Sequence, residues 1–236
     1  MPVEEPDAAA ADGILARSDE IRAIRRFVDG IGDRAPTALV LHGPAGIGKT
    51  TLWSAGVRYG EERGHRVLQA RPTESEAAFS FAALADLVGE PFLSVRTVLP
   101  RQQERALAAA FLLSDDDEPV DARTAATGVL TVLRLLAEER PLMLALDDVQ
   151  WLDAASRRIL EFAIRRLARP VGLLVAVRAE PDGPWPLDLA RALPAEQVRR
   201  VTVGPLSLGS LHHLIHDRLG VAFPRPVLSR VTDEHP

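Results

Sequence analysis

The residues best suited to chemistry in this 236-residue chain lie in one glycine-rich octet at positions 43–50. The octet fits the pattern G-x-x-x-x-G-K-[ST], the P-loop or Walker A motif, and contains the only lysine of the chain, Lys49. Glycines let the backbone turn tightly, so that successive N–H groups point at phosphate oxygens. The lysine offers a compact cation to the β- and γ-phosphates, and Thr50 offers a hydroxyl to Mg²⁺. The predicted phosphate-binding residues are Gly43, Pro44, Ala45, Gly46, Ile47, Gly48, Lys49 and Thr50.

The next residue, Thr51, has two interpretations. It helps to hold the α-phosphate, or it caps the first turn of the helix that follows the loop.

A second candidate group consists of Asp147 and Asp148, which directly follow an apolar run at residues 142–146. Such a run is typical of a strand buried on both faces of a parallel sheet, and ligands bind at the carboxyl edge of such sheets. We expect Asp147 to hold Mg²⁺ and Asp148 to orient the attacking water or accept its proton. An ordinary helix-initiating loop is the alternative explanation of the pair.

Arg178 ends another apolar run, residues 171–177. If that strand lies between the P-loop strand and the strand before Asp147, the guanidinium sits near the γ-phosphate and stabilises its charge. A surface arginine at the end of a strand is the alternative.

The rest of the pattern predicts the elements that must position these groups. Short apolar runs predict strands at 37–41, 66–70, 142–146, 171–177 and, more weakly, 198–203. Helical patterns lie at 18–28, 51–59, 79–93, 101–113, 121–139, 153–168 and 207–219, with Ser18, Asp153 and Ser207 as expected N-caps. Strands that alternate with helices predict an α/β fold, with a parallel five-stranded sheet and helices on both faces.

Composition excludes several classes of protein. The chain has no cysteine, which excludes disulfides and thiolate metal sites, and its net charge of −5 argues against direct contact with nucleic acid. No apolar run reaches the roughly 18 residues of a membrane span, and the acidic N-terminus lacks the layout of a signal peptide. We therefore expect a cytoplasmic protein with a disordered tail at residues 1–12.

Residues 147–153 (Asp-Asp-Val-Gln-Trp-Leu-Asp), taken with the octet, resemble the STAND branch of AAA-type P-loop ATPases. The likeness is to the N-terminal ATPase domain of large ATP-binding LuxR-type (LAL, MalT-like) transcriptional regulators. Residues 15–21 are similar to that family's Gly-Arg-x-x-Glu segment, with Ala16 in place of the glycine. Because that segment lies near the nucleotide base in the family, the resemblance adds Arg17 to the nucleotide-binding residues.

The resemblance covers residues 13–233 and implies a domain layout. It implies a P-loop ATPase domain of ASCE/AAA-like fold at 13–206, and the start of a helical lid at 207–236. It also implies binding of ATP or ADP with Mg²⁺, slow hydrolysis and self-association through the ATPase domain. Family members continue beyond such a point into a helical region, helical repeats and a DNA-binding helix-turn-helix, so we expect the DNA-binding part to lie outside this chain.

Two other functions stay open from the sequence. A P-loop kinase needs an acceptor site and a transport ATPase needs a Leu-Ser-Gly-Gly-Gln-like signature, and residues 115–141 contain no such signature. A non-catalytic interaction module would keep the fold and bind nucleotide without turnover.

Overall fold

A sheet of five parallel strands organises the computed structural model, which describes residues 17–32, 35–113, 120–178 and 185–205. The spatial order is β2-β3-β4-β1-β5. Every neighbouring pair runs parallel. The strands are β1 (Thr37–His42), β2 (Arg66–Ala70), β3 (Leu142–Leu146), β4 (Val171–Val177) and β5 (Val198–Thr202). The predicted α/β fold with a parallel five-stranded sheet is confirmed.

Alternate residues of each inner strand face opposite sides of the sheet, as the period of two requires. On β1, Ala38 and Val40 belong to one apolar cluster, whereas Leu39 and Leu41 belong to the other. All residues of β3 and β4 are buried, because both faces of the sheet are covered. The continuous apolar runs in the sequence follow from this double burial.

Helices supply the cover on both faces. The helices are α1 (Ser18–Asp29), α2 (Lys49–Glu62), α3 (Ala82–Val95), α4 (Arg101–Ala110), α5 (Ala122–Glu139), α6 (Ala154–Ile164) and α7 (Leu189–Ala192). The buried residues of α1 and α2 join the smaller cluster, and those of α3 to α7 join the larger one. The predicted placement of helices on both faces is therefore confirmed.

Several helix ends differ from the sequence-based expectation. Helix α2 extends beyond the predicted 51–59 at both ends, and α6 ends at Ile164 and not at residue 168. Ser18 is the first residue of α1 and not its cap; Arg17 occupies the cap position, and no side chain caps this helix. Helix α3 begins at Ala82, not at residue 79, because Phe81 has a left-handed backbone with φ 67°. Helix α4 ends at Ala110, and Leu112 beyond it has φ 57°.

Several predictions fall on residues that lie outside the described part of the chain. These are the tail at 1–12, most of the loop at 114–121 and the lid helix at 207–219 with its cap Ser207. The division into a domain at 13–206 and a lid at 207–236 stays a prediction. Among the described residues, no helix has the length and apolar character needed to cross a bilayer.

Close packing of helices on the sheet depends on two glycines. A Cβ at Gly56 of α2 would lie 2.6 Å from Cδ2 of Leu174. A Cβ at Gly172 of β4 would lie 2.3 Å from Cδ1 of Ile31, the residue that leads out of α1. The missing side chains let α1 and α2 approach β4, the strand at the centre of the sheet.

We expect Gly172→Ala to lower the free energy of unfolding by about 1–3 kcal/mol, the usual effect of overpacking a core. The new methyl group would also lie 3.1 Å from Cζ of Phe27. Gly89→Ala is the matched control, because Gly89 lies inside α3 with nothing within 4 Å of its Cβ position. That variant should gain about 0.5–1 kcal/mol. Urea denaturation measures both, and equal stabilities would contradict the packing.

Candidate functional site

The P-loop joins the carboxyl end of β1 to the start of α2. A Cβ at Gly43 would lie 2.7 Å from the carbonyl oxygen of Val203, so only glycine fits against the segment that leaves β5. Gly48, the cap of α2, has φ 99°, a conformation that glycine adopts without strain. Pro44, Ala45 and Gly46 are exposed at the crest of the loop. The N-terminus of α2 is therefore open to an anion from solvent.

Lys49 is buried at the base of this loop, with 5% of its surface exposed. Its ammonium donates hydrogen bonds to the carbonyl oxygens of Gly43 at 2.9 Å and Pro44 at 2.8 Å. Burial lowers the pKa of the ammonium. Asp148 and Asp147 raise it in part, whereas Arg178 lowers it further. The four groups predicted from separate stretches of sequence thus act on one another electrostatically.

Asp147 and Thr50 contact each other at the carboxyl edge of β3. The Thr50 hydroxyl donates a hydrogen bond to the Asp147 carboxylate, which is only 4% exposed. Burial raises the pKa of Asp147, although the bond from Thr50 acts in the opposite direction. The two oxygen donors predicted to hold Mg²⁺ are therefore adjacent, and their chemistry suits that hard cation.

Asp148 adopts a left-handed backbone, with φ 45° and ψ 48°. Its carboxylate accepts hydrogen bonds from Nε and Nη2 of Arg178, at 3.3 and 3.2 Å, and from Nε2 of Gln150 at 2.9 Å. Burial acts to raise the pKa of Asp148, but these donors more than offset it and hold the pKa below its usual value. Asp148 is therefore an anion that accepts three side-chain hydrogen bonds.

Arg178 reaches this site because β4 lies between β1 and β3, which is the condition that the sequence analysis set. Its guanidinium pairs with Asp148 and is about half exposed, at 47%. Arg178 is therefore an exposed arginine at the end of a strand that also pairs with Asp148, and its role at the γ-phosphate stays a prediction.

Gln150 is a site residue that the sequence analysis did not single out. Its side chain donates to Asp148, and its Oε1 accepts the backbone N–H of Arg178 at 3.1 Å. The available signal was its place two residues after Asp148, within the Asp-Asp-Val-Gln-Trp-Leu-Asp run.

Arg17 lies against the P-loop from the side of α1. Its guanidinium donates to the carbonyl oxygens of Ile47 at 2.6 Å and Gly204 at 3.0 Å, and to Glu20 at 3.3 Å. It is 8% exposed. The described contacts of Arg17, a predicted nucleotide-binding residue, are therefore with the P-loop, with Glu20 and with the segment that follows β5. Thr51, the other flanking residue, is exposed beside the loop.

Arg71 is a second site residue that was not foreseen. It follows β2, whose last carbonyl, on Ala70, accepts the N–H of Asp147 at 3.0 Å. The Arg71 guanidinium stacks over Trp53 at 4.5 Å and bonds the hydroxyl of Ser54 at 3.2 Å. Its charge lowers the pKa of Asp147. The rule that singled out Arg178, a charged residue at the carboxyl end of a strand, applies to Arg71 as well.

Asp153 connects the starts of α3 and α6. Its carboxylate accepts the N–H of Ser156 at 2.8 Å, which confirms it as the N-cap of α6. The same carboxylate accepts the N–H groups of Phe81 at 2.9 Å and Ala83 at 3.4 Å, at the start of α3. One buried carboxyl group thus accepts backbone N–H groups at the starts of two helices.

Two cavities lined by described residues lie away from the P-loop edge. A cavity of about 460 Å³ lies at the other end of the sheet, near the start of β2, with His65, Arg66, Glu90 and Arg140 in its lining. It includes no residue of the P-loop.

The chain belongs to a family described as the AAA ATPase domain, whose sequence profile matches residues 14–176, more than half of the chain. The predicted AAA-type ATPase domain is thereby confirmed. Its assignment to LuxR-type regulators stays a prediction. No curated protein matches the chain.

Solved structures share the fold at low sequence identity. Drosophila ORC bound to DNA has a TM-score of 0.51 at 16% identity, over 99% of this chain and 58% of that one. The ORC2 protein of Aeropyrum pernix, in ADPNP–ADP complexes, has a TM-score of 0.50 at 18% identity, over 91% and 55%. A STAND protein with a tetratricopeptide repeat sensor, from Pyrococcus horikoshii, has a TM-score of 0.50 at 14% identity, over 93% and 27%. The chain spans less than two thirds of each of these proteins.

We expect Asp147→Asn to raise the free energy of unfolding of the nucleotide-free protein by about 0.5–2 kcal/mol. The folded pKa of Asp147 lies above its unfolded value, so the fold loses stability as the pH rises between the two. The amide oxygen still accepts the Asp148 N–H, and the Thr50 hydroxyl, which can donate or accept, can bond either atom of the amide. The gain should vanish below the unfolded pKa, which urea denaturation across pH measures.

Asp148→Asn is the matched neighbour, with the opposite sign. Its pKa is depressed, so its carboxylate contributes stability above the unfolded pKa, and this is lost as the pH falls through the folded pKa. The variant should lose at most about 1 kcal/mol, because the ion pair with Arg178 is partly exposed. If both variants lost equal stability, the contrast between the two carboxylates would be refuted.

Proposed function

We propose that this chain binds ATP or ADP with Mg²⁺ at the P-loop edge and hydrolyses ATP slowly as a regulatory switch. One observation carries the proposal: Lys49 of the P-loop, the Thr50–Asp147 contact and the Asp148–Arg178 pair all lie at the carboxyl edge of the parallel sheet. These residues come from three distant stretches of the chain, and family membership gives the class of reaction. A purely structural cluster would not need a lysine and two acids at the carboxyl edge of a parallel sheet.

In the proposed binding mode, the backbone N–H groups of residues 43–50 and the Lys49 ammonium hold the phosphates. Lys49 now donates to two carbonyl oxygens of its own loop, and phosphate oxygens would replace these as stronger, charged acceptors. Thr51 borders the α-phosphate position, and Arg17 keeps the loop in shape through its bond to Ile47.

Thr50 and Asp147 are the proposed protein ligands of Mg²⁺. Their contact fits a cation that takes one or two protein oxygens and completes its octahedron with water and phosphate. When bound, Mg²⁺ neutralises charge on the β- and γ-phosphates. The buried Asp147 carboxylate would regain in that complex the stabilisation that burial removes in the free protein.

For hydrolysis, Asp148 is proposed to orient the attacking water and accept its proton while the γ-phosphorus bond to the ADP oxygen breaks. Arg178 is proposed to stabilise the charge on the γ-phosphate. Its pair with Asp148 is half exposed and therefore weak, so a bound phosphate can attract the guanidinium away. In each turnover, the Arg178 guanidinium would then leave the Asp148 carboxylate and pair with the γ-phosphate.

We further propose that the domain serves a LuxR-type regulator of the LAL kind, in the cytoplasm, and self-associates when ATP is bound. The resemblance at residues 147–153 supports this, and a net charge of −5 supports a role without direct nucleic-acid contact. A kinase would form ADP only with an added acceptor, to which it would transfer the phosphoryl group, and a static binding module would form no ADP.

We expect Lys49→Ala to weaken the binding of ADP and Mg-ATP by roughly 10- to 100-fold, because a charged hydrogen bond contributes about 1.5–3 kcal/mol. Calorimetric titration measures the affinities, with a micromolar Kd expected for the wild type. Arg101→Ala removes the same charge from an exposed position at the start of α4 and should bind normally. Unaltered affinity in Lys49→Ala would move the nucleotide away from the P-loop.

We expect Asp148→Asn to reduce the kcat of phosphate release by roughly 100-fold or more, since an amide accepts no proton. Binding of Mg-ATP should survive, because the P-loop and Asp147 are intact. Asp86→Asn, at an exposed position in α3, is the control and should leave the rate unchanged. Wild-type turnover in Asp148→Asn would remove Asp148 from the reaction, and dependence on an added acceptor would favour a kinase.

A further inference from the structure

The side chain of Gln150 connects the candidate catalytic carboxylate to the sheet. Its Nε2 donates to Oδ1 of Asp148 at 2.9 Å, and its Oε1 accepts the backbone N–H of Arg178 at 3.1 Å. The amide orientation is fixed by chemistry, because a carboxylate requires a donor and an N–H requires an acceptor. Reversing the amide would place oxygen against oxygen and N–H against N–H.

The backbone N–H and the guanidinium of Arg178 are held in different ways. The backbone N–H of Arg178 directly follows β4, which is buried throughout and paired on both sides. The guanidinium of the same residue is half exposed and pairs with Asp148 from solvent. The guanidinium can therefore move without disturbing the backbone bond to Gln150.

This difference matters because, in the proposed function, the Arg178 guanidinium pairs first with Asp148 and then with the γ-phosphate. When its guanidinium turns from Asp148 to a phosphate, the carboxylate loses two of its three side-chain hydrogen bonds. The bond from Gln150 is the one that stays, since it depends on the end of β4 and not on the arginine side chain.

We propose that Gln150 is a positioning residue that keeps the Asp148 carboxylate in place when Arg178 pairs with phosphate. The inference rests on the proposed function and adds a residue to it. Gln150 touches no nucleotide in this scheme; it acts through Asp148, whose own backbone is held by a bond from its N–H to Asp147 at 3.0 Å. A neutral amide suits the position, because a carboxylate there would repel Asp148 and a cation would compete for the phosphate.

The kinetic test compares Gln150→Met with wild type, since methionine keeps the length and removes both hydrogen bonds. We expect kcat to fall roughly 10- to 100-fold, the effect of a misplaced catalytic group, with unchanged affinity for ADP and Mg-ATP. Gln102→Met, at an exposed site on α4, is the control and should leave kcat unchanged. The kcat of Gln150→Glu should be no higher than that of Gln150→Met.

A double variant separates positioning from general damage to the fold. If Gln150 acts through Asp148, then Gln150→Met should slow the Asp148→Asn enzyme little further, because the group it positions is already disabled. A full additional loss in the double variant, or a wild-type kcat in Gln150→Met, would overturn the proposal.

A second measurement keeps the inference testable without turnover. The side-chain amide NMR signals of Gln150, identified by their loss in Gln150→Met, should shift in Asp148→Ala, where Nε2 has no carboxylate to bond. Unchanged signals would refute the contact. A wild-type protein that hydrolyses no ATP would instead refute the proposed function, and the amide signals would still decide whether Gln150 holds Asp148.

Discussion

The pairing of β4 with both β1 and β3 is the constraint on which the site depends. It sets the P-loop, Asp147 and Arg178 at one edge, because the carboxyl ends of parallel strands coincide. The pairing itself follows from burial on both faces, which the apolar runs of β3 and β4 provide. Gly56 and Gly172 let α1 and α2 approach that central strand. The geometry of the charged groups therefore also depends on how these helices pack against β4.

Electrostatic conflict is concentrated at this edge and is only partly relieved within the protein. Lys49 bonds to carbonyl oxygens of its own loop, Asp147 is buried with a raised pKa, and Asp148 depends on Gln150 and Arg178. Under the proposed function, a phosphate and a divalent cation would stabilise each of these groups further. A protein that binds such ligands thus has a lower free energy of unfolding without them, and ligand binding restores part of the difference.

Much of the fold could be predicted from the sequence, because its strands are short apolar runs with polar ends. The bounds of β2, β3 and β4 agree with the expected 66–70, 142–146 and 171–177. The start of α3 could not be predicted, since Asp153, about seventy positions away, binds the N–H of Phe81. The contacts of Arg17 with Ile47 and Gly204, and those of Gln150 with Asp148, likewise arise between segments that only the tertiary fold brings together. The motif positions of Lys49, Thr50 and Asp147 were predictable, because phosphate and Mg²⁺ chemistry restricts residue type and spacing.

The solitary lysine at the base of the P-loop makes the protein a selective target for amine chemistry. Reagents that acylate or alkylate amines can react with only two kinds of group here, the N-terminal amine and the Lys49 side chain. The ammonium is 5% exposed and bonded to two carbonyl oxygens, so it should react slowly unless the loop opens. Isotopically labelled lysine would therefore give signals from this one position without overlap. Immobilising the protein on a surface through its lysine would modify the P-loop itself.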